Sequence, residues 1–197
     1  MLKENALTTI ERAKYFLYGD EPTEDDENIA FAINAASSAI EHYCRRKFGI
    51  QTYIQNELDR TDEVLFNEYP VRKVIGINGK KLDDYRFATY LDSESGILNV
   101  YGAEFKGVVE YEAGYVLPKD ATDERPSDLP SDLELATLRL VNEMYVDSDG
   151  FTEDVGSIKL GDWTVRDGTT SQSYIESVIP LSVQQLINSH ARRWSIV

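Results

Sequence analysis

The sequence predicts an α+β fold in which the N- and C-terminal helices form one helical bundle and a mainly antiparallel β-sheet region is inserted between them. Apolar residues recur at helical spacing near both ends of the chain. The middle instead contains short segments rich in β-branched and aromatic side chains, separated by turn signals. We therefore divide the chain into residues 1–50 (first part of the bundle), 51–116 (inserted sheet) and 117–197 (second part of the bundle, with an extended arm at about 147–180).

The first helix is predicted to begin at Thr8 and to end at Gly19. Thr8 and Glu11 have the spacing of a capping box, in which each side chain accepts a hydrogen bond from the other residue's backbone. The predicted buried face contains Ile10, Ala13 and Leu17. The segment "DEPTEDDE" at 20–27 then contains six acidic residues, which is typical of a solvated loop.

A second, longer helix is predicted at roughly residues 24–48. Its stripe follows alternating steps of four and three residues and is apolar up to its last member: Ile29, Ile33, Ala36, Ile40, Tyr43 and Lys47. Many of the remaining positions are alanine or serine, which allow neighbours to approach on more than one side. Phe31 and Ala35 lie away from the stripe, so we expect a second contact surface there, toward another helix or a neighbouring subunit.

The end of this helix holds the chain's single cysteine and one of its two histidines, in "IEHYCRRKFG". Residues two apart on a helix point about 200° away from each other, so His42 and Cys44 cannot form a joint metal site or a reactive pair. Cys44 lies on the apolar side and is predicted to be a small buried side chain. Arg45, Arg46 and Lys47 are predicted to fill the last helical turn before Gly49, where cations oppose the negative helix end. Arg45 and Arg46 are also candidate subunit contacts.

Residues 51–116 are predicted to form the sheet. Asn78-Gly79 favours a hairpin turn between "VRKVIGI" and "KKLDDYRF", and "DSESG" at 92–96 favours another turn. After a polar loop at 117–132, Ser131 or Asp132 can cap a third helix. The apolar spacing of this helix is given by Leu135, Leu138, Val141 and Tyr145.

The segment "SIKLGDWTVRDG" is compatible with a hairpin or an extended arm. A final helix follows, and one side of it is predicted to contain Val183, Leu186, Ile187, His190 and Trp194.

Composition and motifs argue against most active-site chemistry. With 35 acidic and 20 basic residues, the chain does not have the cationic surface that general nucleic-acid binding needs. No phosphate-binding loop, nucleophile elbow, zinc motif or complete calcium loop is present, so we predict no enzyme activity, no cofactor and no metal. The start has no apolar signal-peptide core, and no apolar run reaches the roughly 20 residues of a membrane helix, so we expect no membrane partner.

Several segments, taken in order, resemble the head–tail connector proteins of tailed bacteriophages and prophages, also called portal adaptors or head-completion proteins. They are "LTTIERAKYFL", "AIEHYCRRKF", "YPVRKVIGI", "VVEYEAGY", "LPSDLELATLRLVNEMY", "IKLGDWTV" and a terminal "RRW". The resemblance runs from about Leu7 to Trp194. The segments "DSDGFTED" (147–154) and "TTSQSYIES" (169–177) match nothing in the pattern.

The resemblance implies a structural virion protein, assembled in the host cytoplasm and located in the neck between capsid and tail. Such proteins self-associate into a ring, expected to be dodecameric, that docks on the portal protein and extends the DNA channel. They also provide a platform for the stopper or tail protein, and packaged DNA passes through the lumen without sequence-specific binding. The C-terminal segments of the family reach toward the portal. In this chain the implied portal contacts are Arg192, Arg193, Trp194, Ile196 and Val197.

Two alternatives stay open at the level of sequence. One is a different phage morphogenesis part, such as a head-closure or tail-completion protein, although the several helices count against it. The other is a hydrolase that uses His42 or His190.

Overall fold

The structure of the chain, a computed structural model, describes residues 1–81, 88–101, 105–146, 157–160, 163–166 and 179–191. The chain divides into two compact units. The helical unit comprises Met1–Arg46 and Leu117–Ala191, and the sheet unit includes Lys47–Val116. The predicted α+β class, with terminal helices packed together and an antiparallel sheet region inserted, is confirmed. The segments at 147–154 and 169–177 lie outside the described residues.

The elements follow one another in the order helix, helix, strands, helix, hairpin, helix. Their bounds are α1 Ile10–Tyr18, α2 Asp26–Cys44, β1 Gln51–Thr61, β2 Glu63–Leu65, β3 Val71–Ile77, β4 Ala88–Asp92, β5 Ile97–Tyr101, β6 Phe105–Ala113, α3 Ser131–Val146, β7 Ser157–Leu160, β8 Trp163–Arg166 and α4 Leu181–Ile187. Short 3₁₀ turns occupy Pro118–Asp120 and Asn188–His190.

The start of α1 differs by one residue from the predicted capping box. Thr9, not Thr8, is the N-cap, and its hydroxyl accepts a hydrogen bond from the Arg12 backbone N–H at 3.3 Å. Thr8 is fully buried, and its hydroxyl donates instead to Glu134 of α3 at 3.0 Å. The predicted end at Gly19 is confirmed, since this residue has φ 64° and its N–H bonds to the Tyr15 carbonyl at 2.9 Å.

The apolar stripe of α2 is confirmed, but the predicted end of the helix is wrong. Ile29, Ile33 and Ile40 are completely buried. The helix ends at Cys44, and Arg45 follows in the left-handed conformation with φ 54°. The Arg46 N–H bonds to the Glu41 carbonyl and the Arg45 N–H to the His42 carbonyl, which are the two bonds of a Schellman motif. The three cations therefore lie beyond the helix rather than in its last turn, because Arg45 takes the place expected for Gly49.

The buried face of α3 is rotated relative to the prediction. Its fully buried residues are Leu133, Ala136, Thr137, Leu140 and Val141. Of the predicted positions only Val141 is buried, whereas Leu135, Leu138 and Tyr145 are half-buried. The sequence is apolar on both faces, so spacing alone could not distinguish them.

The last part of the helical unit is more irregular than predicted. Val183 and Ile187 are buried on α4 as expected, but the α-helix stops at Ile187, so His190 lies in the following 3₁₀ turn. Trp194 lies outside the described residues. Strands β7 and β8 pair antiparallel, so their segment forms a hairpin.

The sheet unit contains two three-stranded antiparallel sheets, in the orders β1-β6-β3 and β2-β5-β4. Side chains from both sheets build one core, which includes Val64, Leu98, Val109 and Tyr111. Both predicted turns are present. Asn78 and Gly79 have φ 50° and 75°, as a type I′ turn requires, and residues 93–96 form the turn between β4 and β5.

Candidate interaction surfaces

The solvent side of α2 carries a row of side chains that includes the predicted subunit contacts Phe31 and Ala35. We call this row the α2 outer stripe and define it as Phe31, Ala35, Ser38 and His42, which follow steps of four, three and four residues. Phe31 is 56% exposed, Ser38 and His42 are exposed, and Ala35 is half-buried. The sequence prediction missed Ser38 and His42 as members, although continuing the same spacing from Phe31 would have found them.

The two ends of the α2 outer stripe carry opposite charge. The exposed Arg45 follows the last turn of α2. Exposed carboxylates precede the first turn and begin the helix: Asp20, Glu21, Glu24, Asp26 and Glu27. Asp26 forms an ion pair with Lys14 of α1. The surface of this helix is therefore acidic at one end and basic at the other.

Arg46, which was predicted as a subunit contact, is a buried residue of the helical unit. The residue is 4% exposed, and its guanidinium donates a hydrogen bond to the His190 carbonyl at 3.5 Å. Arg45, its neighbour, remains exposed. The left-handed turn at Arg45 separates the two side chains, which the assumption of a continuous helix could not reveal.

The residues around Arg46 hold the end of α4. The Cys44 thiol donates to the Ile187 carbonyl at 3.7 Å, and the Tyr43 hydroxyl donates to the Asn188 side chain at 2.7 Å. Cys44 is fully buried, and desolvation raises the pKa of its thiol to about 12. Cys44 is thus the small buried side chain that was predicted, and it is not a reactive thiolate.

The two histidines occupy different surroundings. His42 is exposed on the α2 outer stripe, whereas His190 Nε2 lies 2.8 Å from Asp132 Oδ2 at the start of α3. The His190–Asp132 pair joins the end of α4 to the beginning of α3. Across the described ranges, no group of three or more histidine, cysteine or acidic side chains is arranged to hold a metal ion.

The predicted portal contacts, namely Arg192, Arg193, Trp194, Ile196 and Val197, lie outside the described residues. Ala191 is the last described position, directly after the 3₁₀ turn that Arg46 and Asp132 hold. None of the helices in the described part of the chain has both the length and the apolar character of a membrane span.

Comparison with known proteins places this fold in a family. The sequence model of head completion proteins matches residues 6–193, nearly the whole chain. No curated protein shows a significant sequence match.

Solved structures with the same fold come from gene transfer agent particles. A chain in the neck of an empty particle, computed with C6 symmetry, aligns with a TM-score of 0.57 at 14% identity, covering 100% of this chain and 95% of that chain. A chain in the virion of a native particle aligns with a TM-score of 0.56 at 15% identity, covering 100% and 95%. A chain in the neck of a native particle, computed with C12 symmetry, aligns with a TM-score of 0.54 at 14% identity, covering 100% and 94%.

The family match agrees with the two main predictions from the sequence. It confirms both the resemblance carried by the ordered segments and the prediction of a structural protein rather than an enzyme. The chain belongs to the head completion protein family.

Proposed function

We propose that this protein is a ring-forming head–tail connector of a phage-like particle. In this proposal about twelve copies dock beneath the portal vertex in the neck, extend the DNA channel and give the stopper or tail protein its attachment platform. The observation that carries the proposal is the head completion family match over residues 6–193. The fold likeness to chains from necks computed with C6 and C12 symmetry supports it, because a ring is the closed assembly such symmetries describe.

The α2 outer stripe is the proposed contact between neighbouring copies in the helical unit. The small side chains of Ala35 and Ser38 allow close approach, and the exposed ring of Phe31 supplies an apolar anchor. The acidic and basic ends of the stripe are complementary, so a neighbouring copy can pair its acidic end with Arg45.

The backbone at Arg45 supports a functional role for its side chain. A left-handed conformation costs a non-glycine residue roughly 1–2 kcal/mol, and glycine would adopt it without that cost. Arginine at position 45 therefore makes the free protein less stable than glycine would, as expected if the guanidinium contacts a partner.

The C-terminal residues Arg192, Arg193, Trp194, Ile196 and Val197 are the proposed contact with the portal protein. Arginine and tryptophan are the residue types that most often anchor interfaces. Side-chain hydrogen bonds from Tyr43, Cys44 and Arg46 to residues 187–190 hold the backbone just before this segment.

The net charge of −15 suits a channel protein, because carboxylates facing the lumen repel DNA phosphates and let DNA slide. An assembled ring with a net basic inner wall would contradict this part of the proposal.

The proposal is tested by mixing the purified protein with purified portal rings and separating the complexes by sedimentation. We expect wild-type protein to co-sediment with portals and to appear as a symmetric collar by electron microscopy. Phe31→Glu should weaken collar formation, whereas Tyr15→Glu is a matched control, because Tyr15 is 68% exposed on α1 and lies off the stripe. Deletion of residues 192–197 should abolish portal binding. Protein that never associates with portals would refute the proposal.

A further inference from the structure

The sheet unit has two outer faces that point away from each other. The inner faces of its two sheets share one core, in which Val64 and Leu98 of one sheet join Val109 and Tyr111 of the other. Successive side chains of a strand point to opposite faces, so the residues between these core positions point outward. An apolar residue exposed on such a face points away from the described core of its sheet unit.

The outer face of the β2-β5-β4 sheet is apolar and carries negative charge. Leu65, Tyr90 and Tyr101 are 55%, 58% and 57% exposed. Leu65 pairs with Ile97 on the central strand, and Tyr90 pairs with Asn99, so these side chains form one patch. Glu63 and Asp92 lie on the same face, whose described positions include no lysine or arginine. We call it the tyrosine face.

The outer face of the β1-β6-β3 sheet is also apolar and carries charges of both signs. Ile54 is 74% exposed and Val108 is 41% exposed. Ile54 lies opposite Glu110 and Val108 lies opposite Asn56, so the two apolar side chains are diagonal neighbours on adjacent strands. Exposed lysines flank them at positions 73 and 106, together with Glu110 and Glu112. We call it the isoleucine face.

We propose that the tyrosine face of one copy packs against the isoleucine face of the next copy in the ring. This contact rests on the proposed ring-forming function and adds a second contact surface to the α2 outer stripe. Exposed apolar patches of this kind mark interaction sites, and tyrosine is among the side chains that anchor them.

Charge selects this pairing over the alternative in which two tyrosine faces meet. Two tyrosine faces would bring together the carboxylates Glu63 and Asp92 of both copies, which repel one another. The charges on the isoleucine face balance, since Lys73 and Lys106 lie beside Glu110 and Glu112, so this face offers cations to those carboxylates without adding a net negative charge. A contact between two different faces is heterologous, so it repeats from copy to copy and closes a ring when the rotation between neighbouring copies is a whole fraction of a turn.

The test compares three charge insertions at exposed sites. Tyr101→Glu alters the tyrosine face and Ile54→Glu alters the isoleucine face. Leu181→Glu is the control, because Leu181 is 69% exposed on α4 and belongs to neither face. Thermal unfolding should show that all three variants fold like the wild type, since exposed substitutions rarely change stability by much. Complete collars are then counted on portal rings by electron microscopy.

We expect each face variant to reduce the fraction of portals with a complete collar by about tenfold or more, because a carboxylate would be buried against apolar surface. The control should match the wild type. Wild-type collar counts in both face variants would overturn the sheet-face contact and leave the proposed connector function standing. A loss confined to one face variant would also overturn it, since a heterologous contact needs both faces. If wild-type protein itself forms no collar, the proposed function fails, and the sheet-face contact fails with it.

Discussion

Different kinds of contact stabilise the helical unit and the sheet unit internally. Polar side chains from distant parts of the sequence join the helices: Glu134 accepts from Thr8 across 126 residues, and Tyr43 bonds to Asn188 across 145 residues. The described residues of the sheet unit all lie between Lys47 and Val116, and their strands pair through backbone ladders around an apolar core. The helical unit therefore requires both ends of the chain, whereas the sheet unit has its own core within one insertion.

The two units also differ on their surfaces. On the described outer side of α2, Phe31 is the single large apolar member of the stripe, between carboxylates and Arg45. Both outer faces of the sheet unit expose aromatic or β-branched residues, such as Tyr90 and Ile54. We therefore expect charge to contribute more to assembly through the helical unit, and apolar burial to contribute more through the sheet unit.

The largest expected effect comes from the core of the sheet unit. Tyr111 is 1% exposed, and its ring centroid lies 4.3 Å from that of Phe66 and 5.6 Å from that of Tyr53. Tyr111→Ala should lower the free energy of unfolding by about 3–5 kcal/mol, the range for removing a large aromatic side chain from a core. Hydrogen exchange should show lost protection in β1–β6 and retained protection in α2 and α3. Equal loss of protection in both units would show that the sheet unit is not stabilised by a core of its own.

The corresponding change in the helical unit is Ile33→Ala. Ile33 is completely buried on the stripe of α2, so the substitution should cost about 2–5 kcal/mol. Hydrogen exchange should now increase in α1, α2 and α3, with β3 and β6 still protected. Chemical denaturation of the two variants side by side measures the cost. An Ile33→Ala protein whose sheet unit loses protection to the same extent would show that the units do not fold separately.

Glu134 tests whether the polar contacts hold the helical unit. Its carboxylate accepts from the Arg12 guanidinium at 2.5 Å and from the buried Thr8 hydroxyl at 3.0 Å. Glu134→Ala should cost about 1–2 kcal/mol, mainly because the buried hydroxyl loses its acceptor, since half-exposed ion pairs contribute little. Glu11→Ala is the matched control, because Glu11 is an exposed acid on α1. If both variants unfold at the same denaturant concentration, the contact of Glu134 with Thr8 and Arg12 does not stabilise the helical unit.

The smallest effect is expected at Arg45 and has the opposite sign. Arg45→Gly should stabilise the free protein by about 0.5–1 kcal/mol, because glycine adopts the left-handed conformation without steric cost. The same variant should form fewer collars on portal rings, since it lacks the cation at the end of the α2 outer stripe. Thermal unfolding and collar counts on one preparation measure both. If the Arg45→Gly variant is more stable and forms as many collars as the wild type, Arg45 is not part of the subunit contact.

The sequence predicted those features that depend on local spacing. The buried isoleucines of α2, the Asn78-Gly79 turn and the end of α1 at Gly19 each follow from residues within a few positions of one another. The predicted contact surface at Phe31 and Ala35 follows in the same way, because both residues lie off the apolar stripe. Its role in assembly remains a prediction.

Other features depend on partners far along the chain and could not be predicted. The burial of Arg46 depends on the His190 carbonyl, 144 residues away. The left-handed turn at Arg45 is not signalled by glycine or asparagine. The buried face of α3 was ambiguous because its other face is apolar as well. The tyrosine and isoleucine faces required the strand register, which fixes the residues that share a face.

We propose that copies of this chain close a ring on the portal. Cryo-electron microscopy of the protein bound to portal rings tests it most directly, with the reconstruction computed without imposed symmetry. We predict a closed collar in which the α2 outer stripe faces the neighbouring copy at every subunit boundary. A single copy bound at irregular positions, or a collar whose α2 outer stripes all face solvent, would refute the proposed ring contact.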